Sequence, residues 1–174
     1  MRPMLRMTIA AVLLLTSVCA FSQQPPPDRT PPPRWQPFTT EHFSVEMPGR
    51  PETKTETLKA KDGLPVKYTT YTVDLGRRAY MTSTSDYDPK TKVSLDGAIE
   101  GVLSSWKDPK NLSRRKTTLY GVPAQIVDFT SEDFHVVVRA FAVGKRLYQL
   151  GFVEMRDDFL PAHVDRFMKS FRLR

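Results

Sequence analysis

The chain has little cysteine, little glycine and few histidines, and each shortage removes a class of chemistry. Cys19 is the only cysteine in 174 residues. It lies inside an N-terminal segment that reads as a removable leader, so the rest of the chain carries no thiol. Disulfides, thiolate-bound metals and a cysteine nucleophile are thereby excluded from the remainder. Long apolar runs are missing as well. The longest, Ile9 to Leu15, is too short for a comfortable membrane span, and proline follows it closely. With eight glycines, the chain contains no GxSxG elbow, P-loop or GxGxxG, and HExxH is also absent. A serine, a histidine and an aspartate can still meet from distant positions, so missing motifs weaken the enzyme reading without removing it.

What is present begins with the leader. Arg2 and Arg6 form a positive n-region ahead of the apolar run, and Val18-Cys19-Ala20 places small residues for a cut after Ala20. A cut after Ser22 fits equally well, so the signal peptide is read as residues 1–20, extending at most to 22. Lipidation of Cys19 is disfavoured because valine precedes it. Losing the leader lowers the formal charge of +7 by its two arginines. The remaining excess is modest; it suits either a solvated surface or weak attraction to anionic membranes and wall polymers.

Residues 21–37 read as a proline-rich linker. The text QQPPPDRTPPPRWQP holds seven of the fifteen prolines. Proline fixes φ and donates no hydrogen bond, so this segment is expected to favour polyproline II, to stay out of any sheet and to act as a spacer.

A single domain is expected over 38–174. Alternating patterns mark strands at His42–Met47, Glu52–Ala60, Val66–Val73 and Arg78–Tyr87, with Asp62-Gly63 as a hairpin turn. In Val66–Val73 the apolar residues change face midway, which predicts a bulge or a register irregularity. Over Ser94–Trp106 the period changes. Leu95, Ala98, Ile99, Val102, Leu103 and Trp106 fall on one helical face, Ser94 is the expected N-cap and Asp108-Pro109 ends the helix. Strands resume at Leu112–Leu119, Ala124–Thr130, Phe134–Val143 and Leu147–Glu154. A last helix is expected to be capped by Asp157 or Asp158, to carry Pro161 in its first turn and to present Leu160, Val164, Phe167, Met168 and Phe171 as a buried stripe. The fold class is therefore α+β: an antiparallel sheet of about six to eight strands with two amphipathic helices packed against it.

The opening FTTEHFSVEMPGRPE, the late RAFAVGKRLYQLGF and the closing FMKSFRLR resemble the PsbP-like superfamily, which includes the extrinsic photosystem protein and many small exported bacterial proteins. The resemblance spans about 38–174 and lies in element order and local phrases. It implies an antiparallel sheet flanked by helices and a role in binding or assembly. It transfers no active-site residue.

The candidate chemical residues are few. His42, His135 and His163 sit on a first strand, a late strand and the last helix, with no second ligand at a metal-binding spacing. His163 and Asp165 are two apart on one helix and point to different faces. Asp86 and Asp88 share a side of an extended segment and could hold a hard cation, but the following Pro89-Lys90-Thr91-Lys92 lacks the further ligands and the glycine of a calcium loop. Glu132-Asp133 reads as a hairpin tip. The basic groups Arg77-Arg78, Arg114-Arg115-Lys116 and Lys145-Arg146 are short, and two of the three adjoin a glycine turn, so they read as solvated turns; the alternative is that together they form one patch for an anionic partner. Thr53, Thr55, Thr57, Thr69, Thr70, Thr72, Thr82 and Thr84 would give a hydroxyl-rich sheet face, an enrichment that strand preference already explains.

No catalytic, cofactor-binding or metal-ligating residue is assigned. The expected function is an exported, non-catalytic binding or accessory module of the bacterial envelope, secreted or periplasmic, whose partner is a protein or envelope component and not nucleic acid. The alternatives are a carrier of a small apolar ligand in a pocket between sheet and helices, or an enzyme with an unrecognised site.

Overall fold

The computed structural model describes residues 34–174. The expected leader and most of the linker lie outside them. The alternating stretches become strands: β1 Gln36–Thr39, β2 Phe43–Met47, β3 Glu52–Lys59, β4 Pro65–Asp74 and β5 Arg78–Tyr87. Helix α1, Leu95–Ser104, follows, and then β6 Lys110–Leu119, β7 Val122–Ser131, β8 Phe134–Val143 and β9 Arg146–Met155. A 3-10 turn at Arg156–Asp158, helix α2 at Pro161–Ser170 and the short β10 at Arg172–Leu173 close the chain.

The main sheet has seven strands in the order β3-β4-β5-β9-β8-β7-β6, all paired antiparallel. It consists of two meanders joined through α1 and sealed where β5 pairs with β9. The second sheet has three strands, with β2 between β1 and β10. The α+β class and the size of the main sheet match the expectation.

Alternation along β9 divides the interior in two. Tyr148, Leu150 and Phe152 join Phe43, Val45 and Met47 of β2, together with Phe167, Met168 and Phe171. Leu147 and Val153 point the other way, into a cluster with Val127, Phe129, Val136, Ile99 and Val102, the last two from α1. Ser94 caps α1 as expected, its hydroxyl accepting from the Gly97 amide at 3.0 Å.

Four expectations are corrected. First, the linker ends earlier than Pro37. Gln36 and Pro37 pair with Met47 and Glu46, so the segment does join a sheet. Strand β1 lies at the edge of its sheet, where proline's missing donor costs no ladder bond. Second, β4 has no bulge: its register with β3 runs unbroken from Glu52↔Thr72 to Lys59↔Pro65. Its apolar residues change face because burial changes face. Tyr71 and Val73 meet the β2 cluster, while Val66 and Tyr68 are buried on the opposite side. The irregularity is instead in β6, between Lys110 and Ser113, where Asn111 has φ 52°.

Third, neither Asp157 nor Asp158 caps α2. Both belong to the 3-10 turn, and the N-cap position is Leu160, which makes no side-chain cap bond. Leu160 is 52% exposed and leaves the expected stripe. Phe171 stays buried, although it stands in extended conformation past the helix end. Pro161 does occupy the first turn. Fourth, Trp106 lies beyond the last residue of α1, yet its ring still meets Phe129 at 5.9 Å.

Candidate functional site

On most inward-facing positions of the main sheet the residues are apolar. A few are charged: Arg139 stands mid-strand, Asp86 and Arg146 pair at one end, and a larger group collects at the other. Register places Arg78 opposite Glu154, Glu154 opposite His135, and His135 opposite Thr130, a row crossing β5, β9, β8 and β7. Glu154 continues the parity of Tyr148, Leu150 and Phe152 and is fully buried. A carboxylate there needs partners. Arg78 Nη2 lies 2.7 Å from its Oε1, and the Leu160 amide donates to Oε2 at 3.1 Å. His163, in the first turn of α2, places Nδ1 3.4 Å from Glu154 Oε1 and Nε2 3.1 Å from Arg78 Nη1. A guanidinium can only donate. Nε2 is therefore the acceptor in this geometry, and Nδ1 carries the proton facing Glu154.

The neighbouring row contains Tyr80, whose phenol burial pushes up to about 12 despite the opposing charge of Arg78. The second histidine of this end, His135, sets Nε2 2.7 Å from Asp128 Oδ1, with its ring stacked 3.6 Å from Phe159. These groups hold one another. Among the described residues, no serine or threonine hydroxyl bonds a histidine ring, so no nucleophile stands against either imidazole. The cluster ties the start of α2 to β5 and β9; it does not resemble a hydrolytic set.

The other candidates are dispersed. His42 lies beside Glu41 at 3.6 Å, at the turn between β1 and β2, far along the strands from the other two histidines. Asp86 is held by Arg146. Asp88 accepts from the Lys90 amide at 2.8 Å, which shapes a turn. Among the described residues, no group of three or more histidines, cysteines or carboxylates is placed to hold a metal ion. Glu132 and Asp133 do form a hairpin tip, between β7 and β8. Threonines are split between the two sheet faces. Thr55 and Thr69 share a bond of 3.0 Å, Thr82 and Thr84 are buried, and Thr70 and Thr72 face the opposite side.

The three basic groups do not form one patch. Arg77-Arg78 and Lys145-Arg146 lie at opposite ends of the main sheet, and Arg114-Arg115-Lys116 lies along its β6 edge. Pairing also differs between the two ends. At the Glu154 end, Arg77 pairs with Asp158, Arg78 with Glu154, Lys107 with Glu132 and Lys110 with Asp108. At the opposite end, strand ends and turns present Lys59, Lys61, Lys67, Lys90 and Lys145, all exposed. Among the described residues, none of these five has a salt-bridge partner. The C-terminal strand reaches the same end: Arg172 pairs with Ser44, and the Arg174 amide bonds the His42 carbonyl at 3.1 Å. Tyr120 and Val143, 46% and 41% exposed, add apolar surface there. Tyr120 has φ 52°, an uncommon conformation for an aromatic residue, and its hydroxyl donates to the Phe171 carbonyl at 2.6 Å. Sequence reading noticed Lys145-Arg146. It missed the convergence, because the lysines come from separate turns that only the register brings together.

Compared with solved structures, the chain matches the solution structure of cyanobacterial PsbP from Synechocystis sp. PCC 6803 with a TM-score of 0.55. The match covers 82% of this chain and 94% of that one, at 10% sequence identity. The fold is PsbP-like. A Pseudomonas aeruginosa protein of unknown function matches at a TM-score of 0.38 and 12% identity, over 75% of this chain and 88% of that one. No protein-family model matches, and no curated protein matches by sequence. Identity this low establishes the shared architecture alone. Among the described residues, no helix is long and apolar enough to cross a membrane.

Proposed function

We propose that the chain is an exported, non-catalytic binding or accessory module of the bacterial envelope, with residues 1–20 or 1–22 removed on export and the prolines up to 33 serving as a spacer. The observation that carries this reading is the unequal pairing of charge. Four cations at the Glu154 end, Arg77, Arg78, Lys107 and Lys110, are taken up by carboxylate partners, with Arg50 and Arg156 left exposed there, while Lys59, Lys61, Lys67 and Lys90 at the opposite end are exposed without a salt-bridge partner among the described residues and can meet something else. The Glu154 cluster supports the non-catalytic part, since Arg78, Glu154 and His163 are engaged with one another. In the same reading α1 and α2 clasp opposite faces of the main sheet, supported by the clusters that Ile99 and Val102 share with β7 and by the Phe167 ring 5.4 Å from Tyr80. The apolar-carrier alternative is not favoured, because stacked rings fill the space between β2 and the sheet: Phe43 against Phe171 at 5.2 Å, and Phe141 against Tyr148 at 5.2 Å.

Fractionation of producing cells with N-terminal sequencing tests the proposal. A chain outside the cytoplasm that begins near Phe21 or Gln23 is the expected result. Intact Met1 on cytoplasmic material, or a lipid on Cys19, would overturn it.

A further inference from the structure

We infer that the lysine-bearing end of the main sheet is a docking surface for an anionic lipid bilayer. The inference rests on the binding-module reading above and names its partner. Register fixes the geometry. Lys59 pairs with Pro65, Val66 with Tyr87, Asp86 with Arg146, and Arg146 with Val143. The turns carrying Lys61, Lys90 and Lys145 therefore all lie at one end of the strands. The strand ends from β3 across β4, β5 and β9 to β8, spaced about 4.8 Å apart, spread these charges over roughly 20 Å. A surface that wide suits a planar partner. An acidic peptide would have to run across five strand ends to meet the same cations.

The type of cation agrees with this. The cations without a carboxylate partner here are lysines, Lys145 donating to the Thr91 carbonyl at 2.7 Å; they are compact and lack the fixed fork that arginine offers to one positioned carboxylate. Mobile lipid phosphates can rearrange to meet them. Arg146, the arginine at this end with a carboxylate partner, is already bound to Asp86. Val143, at the last position of β8 beside the Gly144-Lys145 turn, supplies exposed apolar surface among the charges, as interfacial proteins do. Pairing at the far end leaves less free positive charge there, so the molecule is electrically oriented, with the Glu154 cluster facing away from the bilayer.

Sedimentation of the full chain with phosphatidylcholine vesicles, with and without phosphatidylglycerol, tests the inference. Binding should require phosphatidylglycerol and weaken as salt is added. At about 1 kcal/mol per lysine near an anionic surface, Lys59→Gln, Lys61→Gln and Lys145→Gln combined should lower affinity by roughly a hundredfold. The equally charged control, Arg50→Gln, Lys107→Gln and Lys110→Gln at the far end, should change it less than about threefold. All six residues are exposed, and unchanged melting will confirm that both variants fold. Val143→Asp should weaken vesicle binding further. Equal losses in the two triple variants would reduce the effect to net charge and overturn the inference. So would equal binding to both vesicle types, or binding to soluble polyglutamate without binding to vesicles. Purified vesicles do not depend on export. An exported chain that ignores them defeats this inference and leaves the module reading intact, whereas a cytoplasmic chain defeats the module reading whatever the vesicles show.

Discussion

Trp35 stands edge-on to Tyr80, with ring centroids 5.2 Å apart and planes at 81°. Arg166 of α2 lies over the same indole at 4.6 Å and also bonds Glu46 of β2 at 2.9 Å. The last residues of the proline-rich segment are thus part of the fold. The aromatic pair and the cation-π contact each contribute on the order of 1 kcal/mol. A chain beginning at Phe38 should be about 2 kcal/mol less stable than the full chain, while one beginning at Arg34 should match it within about 0.5 kcal/mol. Urea denaturation measures both. Equal midpoints for the two shortened chains would show that Trp35 contributes nothing.

Phe167 is fully buried in α2 and meets the Tyr80 ring at 5.4 Å. Phe167→Ala should cost about 3–5 kcal/mol through lost transfer energy and the remaining cavity. Leu160→Ala, at a position 52% exposed, should cost less than about 1 kcal/mol. Thermal melting of the pair separates a helix that covers a core from one with a free apolar face. A Phe167→Ala variant that melts like the parent would refute the core role.

The elements legible in the sequence were those with long, clean alternation. Arg78–Tyr87 and Phe134–Val143 have the boundaries that their patterns imply. Strands β1 and β10 were not legible, because four and two residues cannot establish a period and Pro37 argues against a strand in isolation. The face change in β4 was visible, but its cause was not: two different covers, one on each side, are a tertiary fact. The polar cluster left a usable trace. Arg78 shares parity with Tyr80, Glu154 with Phe152, and His135 with Val137, so each is a charged or titratable residue on an inward face. Their pairing could not be read, since contacts between β5, β9 and α2 depend on sheet order. His163 stands one turn from nothing but surface in sequence terms, and its real neighbours come from β5 and β9.

Alkaline pH should report on the buried phenols. Burial pushes Tyr80 up to about 12, from an ordinary value near 10, and it moves Tyr68 in the same direction. A raised phenol pKa means that the unfolded chain ionises first. The stability linked to Tyr80 is therefore complete below pH about 10 and is lost as pH climbs towards about 12. With solvent screening allowed for, that loss is about 1–2 kcal/mol. Tyr80→Phe should lose less stability than the parent across this window and show no such difference at neutral pH beyond a constant offset. Parallel curves for the two proteins would rule out a Tyr80 contribution.

Glu154 and Arg78 should behave as a coupled pair. Removing one member of a buried ion pair leaves the other without a counter-charge, which costs about 3–5 kcal/mol. Arg78 keeps 22% of its side-chain surface in solvent, so the lower end of that range applies: about 3 kcal/mol for Glu154→Leu, including the lost acceptor for the Leu160 amide. Arg78→Met should cost a similar amount, because it strands a fully buried carboxylate. Apolar residues that replace both partners often restore the loss. The double variant should therefore be less destabilised than the sum of the two singles by at least about 1.5 kcal/mol. His163 gives the control. His163→Phe removes a ring that touches both partners and leaves the pair itself in place, so the coupling between Glu154 and Arg78 should persist in that background. Denaturation of all members of the cycle measures the coupling, and additive losses would show that the 2.7 Å contact between β5 and β9 does not couple the two residues.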